Sequence, residues 1–114
     1  MKIEKIIINK LKEEKALFFA DIEQLFEEYN YDYKGEKSIY SGENESLIIW
    51  TGWNEKTVDM IVNIISKTSQ IYCKQATYIE VLLMGKPLNL PIAKKTNYKY
   101  KKVHWLPSVL IWKE

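Results

Sequence analysis

Three stretches of this chain carry apolar residues at helical spacing, and after residue 70 the apolar spacing drops to two. That change of period predicts helices followed by strands, an α+β chain. The segment "KIEKIIINKLKEE" sets Ile3, Ile6, Ile7 and Leu11 on one stripe and predicts a helix over about residues 2–14. "DIEQLFEEY" predicts a second over about 22–31, with Asp21 as N-cap, Gln24 three residues on, and Ile22, Leu25, Phe26 and Tyr29 turned inward. A third, "EKTVDMIVNIISK", is capped by Asn54 and has Val58, Ile61, Val62 and Ile65 as its expected buried stripe.

Between the second and third helices lies a polar stretch holding Gly35 and Gly42, with a short strand expected at "KSIY". The run "LIIWT" is β-branched, aromatic and too short for a helix, hence a strand. Farther on, "IYCKQATYIEVLLM" and "PLNLPIA" flank Gly85-Lys86, where Gly-X suits a type II′ turn. Residues 71–92 are therefore expected to form antiparallel strands, with a hairpin over 78–92. In the final apolar run, "VHWLPSVLIW", Pro107 lacks a ladder donor, so that strand must lie at an edge or bend.

Residues 1–114 are expected to form a single α+β domain, with two to three N-terminal helices packed on a small antiparallel sheet and a C-terminal hairpin. One cysteine, Cys73, excludes an intrachain disulfide framework. The N-terminal segment is too charged for a signal peptide or a membrane span. The expected setting is the cytoplasm, with no membrane partner.

The order of helices followed by a hairpin resembles a winged helix, with "FADIEQLFEEY" and residues 55–67 as its helix-turn-helix pair. A generic α+β domain is the rival, because the connector between those helices is far longer than the usual turn. The stretches "ALFFADIEQLF", "IIWTGWN", "LNLPIAK" and "HWLP" resemble small hypothetical proteins of Gram-positive phages and pathogenicity islands. That resemblance implies a mobile-element context and no particular activity.

Chemistry finds little footing in these residues. Cys73 and His104 are the only strong soft ligands, 31 positions apart, with no CxxC or HxxxH spacing, so no metal and no cofactor are expected. There is no GxSxG elbow, no GxxxxGK[ST] and no GxGxxG. Cys73 reads as a small buried hydrophobe and His104 as a structural or surface residue. The pairs Glu23/Glu27 and Glu28/Asp32 each share a helix face and read as solvated carboxylates. The chain is expected not to be an enzyme.

Binding is what remains. All 17 basic residues are Lys, so the bidentate grip of Arg on phosphate or guanine is missing. Charge is also uneven. Residues 1–60 hold 8 Lys against 13 acidic residues, and residues 61–114 hold 9 Lys against 2.

The densest patch is "KKTNYKYKK", with Lys94, Lys95, Tyr98, Lys99, Tyr100, Lys101 and Lys102. Alternating cations and aromatics suit an acidic protein surface; nucleic acid, by phosphate pairing and base stacking, is the alternative. The other candidate is Trp50-Thr-Gly-Trp53, where Trp50 reads as core and Trp53, beyond Gly52, as a contact residue. The third helix makes a poor DNA reader, since Glu55 and Asp59 near its start would repel phosphate. The resulting expectation is a non-enzymatic protein that binds an acidic protein partner, with inhibition of a host defence or regulatory system implied by the resemblance. A winged-helix transcriptional regulator is the alternative.

Overall fold

The structure is a computed structural model that describes residues 2–42, 44–85, 87–96 and 98–114. Helix α1 spans Lys2–Glu14, as its stripe requires, and buries Ile3, Ile7 and Leu11. It stops where Lys15 turns to φ 71°, donating its N–H to the Leu11 carbonyl at 2.8 Å, a left-handed C-terminal cap.

The "ALF" link is a strand, β1 (Ala16–Phe18). Helix α2 (Phe19–Glu28) starts three residues earlier than the sequence suggests. Asp21 is not its N-cap. It stands at the third helical position, and its carboxylate takes the Phe18 N–H at 2.9 Å. The earlier register ends the helix before Tyr29, which is left 55% exposed rather than in the core.

Strands β2 (Lys34–Ser41) and β3 (Asn44–Trp53) form an antiparallel hairpin. Its register slips repeatedly, so that Lys34 and Lys37 both oppose Trp53, the mark of a bulged ladder. Gly35 permits this closeness: a Cβ there would lie 2.5 Å from the Asn54 Cα.

Helix α3 (Glu55–Lys67) is capped as expected, Asn54 Oδ1 accepting the Thr57 N–H at 2.8 Å. Its buried face is rotated from the expected one. Thr57, Met60, Ile61 and Ile64 are inside, while Val62 is exposed and Val58 and Ile65 are half-buried. Both faces have helical spacing, and the one that meets the aromatic core prevails.

Strand β4 (Ile71–Gln75) is followed by helix α4 (Tyr78–Leu83). This overturns the expected hairpin over 78–92, and with it the wing of a winged helix. Thr77 and Glu80 form a reciprocal capping box: the Glu80 carboxylate accepts the Thr77 N–H at 2.8 Å, and Thr77 Oγ1 accepts the Glu80 N–H at 3.2 Å. Two orphan donors are satisfied at once, which starts a helix in a run that alternation alone would read as a strand. Of the expected turn pair Gly85-Lys86, Lys86 lies outside the described residues.

The final apolar run bends, and Pro107 marks the place. Before it, β5 (His104–Trp105) lies parallel to β3 in one sheet of order β2-β3-β5. After it, β6 (Ser108–Trp112) is the centre of a second, antiparallel sheet of order β1-β6-β4. Pro107 contributes an acceptor and needs no donor, its carbonyl taking the Ala76 N–H at 2.8 Å. Beside β5, Ile92 bridges Trp105 in parallel. The chain is thus α+β, with helices packed against two small sheets rather than one.

Candidate interaction surfaces

The two tryptophans of "LIIWTGWN" share one fate. Trp50 is 2% exposed and Trp53 1%. Both indole N–H groups donate to the same oxygen, Glu23 Oε2, each at 2.8 Å. Phe19 stacks on Trp50 with centroids 6.1 Å apart, and Phe26 meets Trp53 edge-on at 5.3 Å. Trp53 is therefore no contact residue. A buried indole N–H needs an acceptor, and Glu23 supplies it to Trp53 at the end of β3. Glu23 is itself buried, which corrects its reading as a solvated carboxylate. Its neighbour on the same face, Glu27, accepts the Tyr33 hydroxyl at 2.6 Å. Burial, then that bond and the nearby carboxylates, push the Tyr33 phenol well above its ordinary range.

The Lys-Tyr loop is held by its own aromatics. The Tyr100 hydroxyl accepts the N–H groups of Lys94 and Lys95 at 3.0 and 3.1 Å, and its backbone N–H donates to Ser46 Oγ at 3.0 Å. The Tyr100 ring stacks on His104 with centroids 3.8 Å apart, and His104 Nδ1 lies 2.8 Å from the Lys102 carbonyl. His104 is thus a structural residue of the loop. Asn44 Nδ2 donates to the Tyr98 carbonyl at 3.0 Å.

Around this frame Lys94, Lys95, Lys99, Lys101 and Lys102 are all exposed, as is Tyr98, with Lys95 Nζ 5.6 Å from the Tyr98 ring centroid. Tyr100 builds the platform, and Tyr98 and the lysines make its face. Tyr100→Phe leaves two amides without their acceptor. Amide exchange at Lys94 and Lys95 is expected to speed up about fivefold, the equivalent of about 1 kcal/mol, with the melting temperature nearly unchanged. Unaltered exchange at both amides would show that the loop does not depend on the hydroxyl.

A surface that periodicity missed lies on α4. Tyr78, Ile79, Leu82 and Leu83 are between 66% and 76% exposed, while Val81 and Met84 on the other side meet the core. Large apolar side chains at positions one, two, five and six of a helix share a face, so this is a contiguous patch rather than scattered exposure. The signal for it was present: Thr77-x-x-Glu80 ahead of an apolar run is a capping-box signature.

Cys73 and His104 sit on different sheets, Cys73 on β4 and His104 on β5. Burial raises the Cys73 thiol pKa, opposed in part by a hydrogen bond with Ser108. Among the described residues no three His, Cys, Asp or Glu side chains gather to hold a metal ion. No helix among them is long and apolar enough to cross a membrane. No family model, curated protein or solved structure matches this chain.

Proposed function

We propose that this chain is a non-enzymatic binding protein whose target is another protein, and that it serves a mobile element by inhibiting a host defence or regulatory system. The observation that carries the binding part is the apolar face of α4. Four large side chains held in water by a well-capped helix gain free energy when a partner covers them, and phosphates offer no such cover. The Lys-Tyr loop adds a cationic face without acidic residues, which suits an acidic partner surface and steers its approach. The inhibitory role rests on the resemblance to small phage and pathogenicity-island proteins. The cytoplasm of a bacterial host is the setting that goes with it.

The test compares wild-type protein with an Ile79→Glu/Leu82→Glu double variant, both immobilised and exposed to a bacterial lysate. Both positions are exposed, so the variant is expected to fold. Its captured partner should fall by about tenfold or more, the scale of losing one to two hot-spot contacts. Duplex DNA should bind only weakly at physiological salt. Micromolar duplex binding with a steep salt slope, or capture untouched by the double variant, would overturn the reading.

A further inference from the structure

We propose a second docking site, separate from α4 and the Lys-Tyr loop: the free edge of β4 and the apolar groove beside it take an extended segment of a partner protein as an added strand. Two independent observations meet there.

The first concerns backbone groups. Strand β4 pairs with β6 on one side and, among the described residues, is an edge of its sheet on the other. The Lys113 N–H donates to the Gln70 carbonyl at 2.6 Å, and the Ala76 N–H to the Pro107 carbonyl at 2.8 Å. These bonds fix the phase of the ladder, because in an antiparallel pair alternate residues point their N–H and C=O at the same neighbour. Tyr72 and Lys74, opposite Ile111 and Val109, therefore face β6. Cys73 and Gln75 turn both backbone groups to the open side. Unlike β2, whose register is broken by bulges, β4 pairs without a slip, so its edge is a straight template.

The second concerns side chains. A groove of about 500 Å³ is walled by Ile39 and Tyr40 of β2 and by Cys73 of β4, with Val58, Val62 and Ile65 of α3 between them. Its volume is that of a site for a short segment or small ligand. The hydrogen-bonding edge and the apolar wall meet at one residue, Cys73. An extended polypeptide satisfies both features together: main chain to the edge, alternate apolar side chains into the groove. On the solvent face of β4, Tyr72 and Lys74 are exposed, which favours acidic or threonine residues at the intervening positions of the occupant.

The probe is a capped synthetic heptapeptide, acetyl-Thr-Val-Glu-Val-Glu-Val-Thr-amide, with two N-methylated versions, one methylated on the valines and one on the other residues. Backbone amide exchange is followed by NMR on the full chain. The unmodified peptide, at about 1 mM, should slow exchange at Cys73 and Gln75 by about tenfold or more. One methylated phase should retain this effect and the other lose it, since methyl groups block only the amides that face β4. Val62→Glu, at an exposed position, should weaken the peptide by about tenfold.

Absence of protection by the unmodified peptide would overturn the proposal. So would equal binding of both methylated phases, which would mark a merely apolar pocket. Protection that grows with protein concentration without peptide would also overturn it, because a second copy would then fill the edge. None of these outcomes depends on the α4 variant, so this site and the proposed function fail separately.

Discussion

Changing Lys94, Lys95, Lys99, Lys101 and Lys102 together to Gln is expected to abolish association with the proposed acidic partner while the fold melts within a few degrees of wild type. All five side chains are exposed, and none takes part in the ion pairs that the described residues form, which involve Lys10 and Lys15. Surface substitutions of this kind usually stay within about 0.5 kcal/mol each, and removing five like charges from one loop also relieves their repulsion. The frame survives, because Tyr100 binds the backbone N–H groups of Lys94 and Lys95 and not their ammonium groups. Association is different: the five charges act as one patch, raising the encounter rate and fixing orientation. A titration of captured partner against salt checks the mechanism, since wild-type capture should weaken as ionic strength rises. Normal binding by the variant would place the contact on α4 alone.

Glu23→Ala is expected to cost the fold about 3–5 kcal/mol in urea denaturation, a large share of what a domain of this size holds in reserve. The substitution strands two buried indole donors, and each unsatisfied group carries a penalty of roughly 1–3 kcal/mol before any cavity is counted. Glu23→Gln keeps an acceptor oxygen and should lose less, on the order of half. A cost below about 1 kcal/mol for Glu23→Ala would mean that water or a shifted neighbour replaces the carboxylate. Trp53→Ala acts through the same cluster, so any effect on partner binding would follow from unfolding and not from a lost contact.

These two expectations differ in how they could be read from sequence. The exposure of the Lys-Tyr loop was legible because a charge cluster is a local fact, and so were the helix α1 with its stripe and the helix α3 with its Asn54 cap. The Glu23 cluster was not, because its donors lie 27 and 30 positions away and nothing near Trp53 announces an acceptor. Asp21 misled in a narrower way: its carboxylate does serve the start of α2, from inside the helix and not from its cap. For α4 the alternation of "TYIEVL" competed with the Thr77–Glu80 box, and six residues were too few for periodicity to decide. The face of α3 was ambiguous by composition, since Val58, Val62 and Ile65 are as apolar as the residues that won. Those three now wall the groove beside β4.

The crossing at Pro107 also dictates the order in which this chain can fold as it is synthesised. Among the described residues β6 is the only strand that pairs with β1 and with β4, so residues 16–18 must wait for residues 108–112 before their ladder exists. A nascent chain shorter than that can close the β2–β3 hairpin and coil its helices, but α1 and α2 lack the β1-β6-β4 sheet on which they pack. Contacts of such long sequence separation slow folding, because the closure entropy is lost before the pairing returns it. Until β6 arrives, the apolar faces of α1 and α2 stay without their sheet, and apolar surface left open in this way favours aggregation.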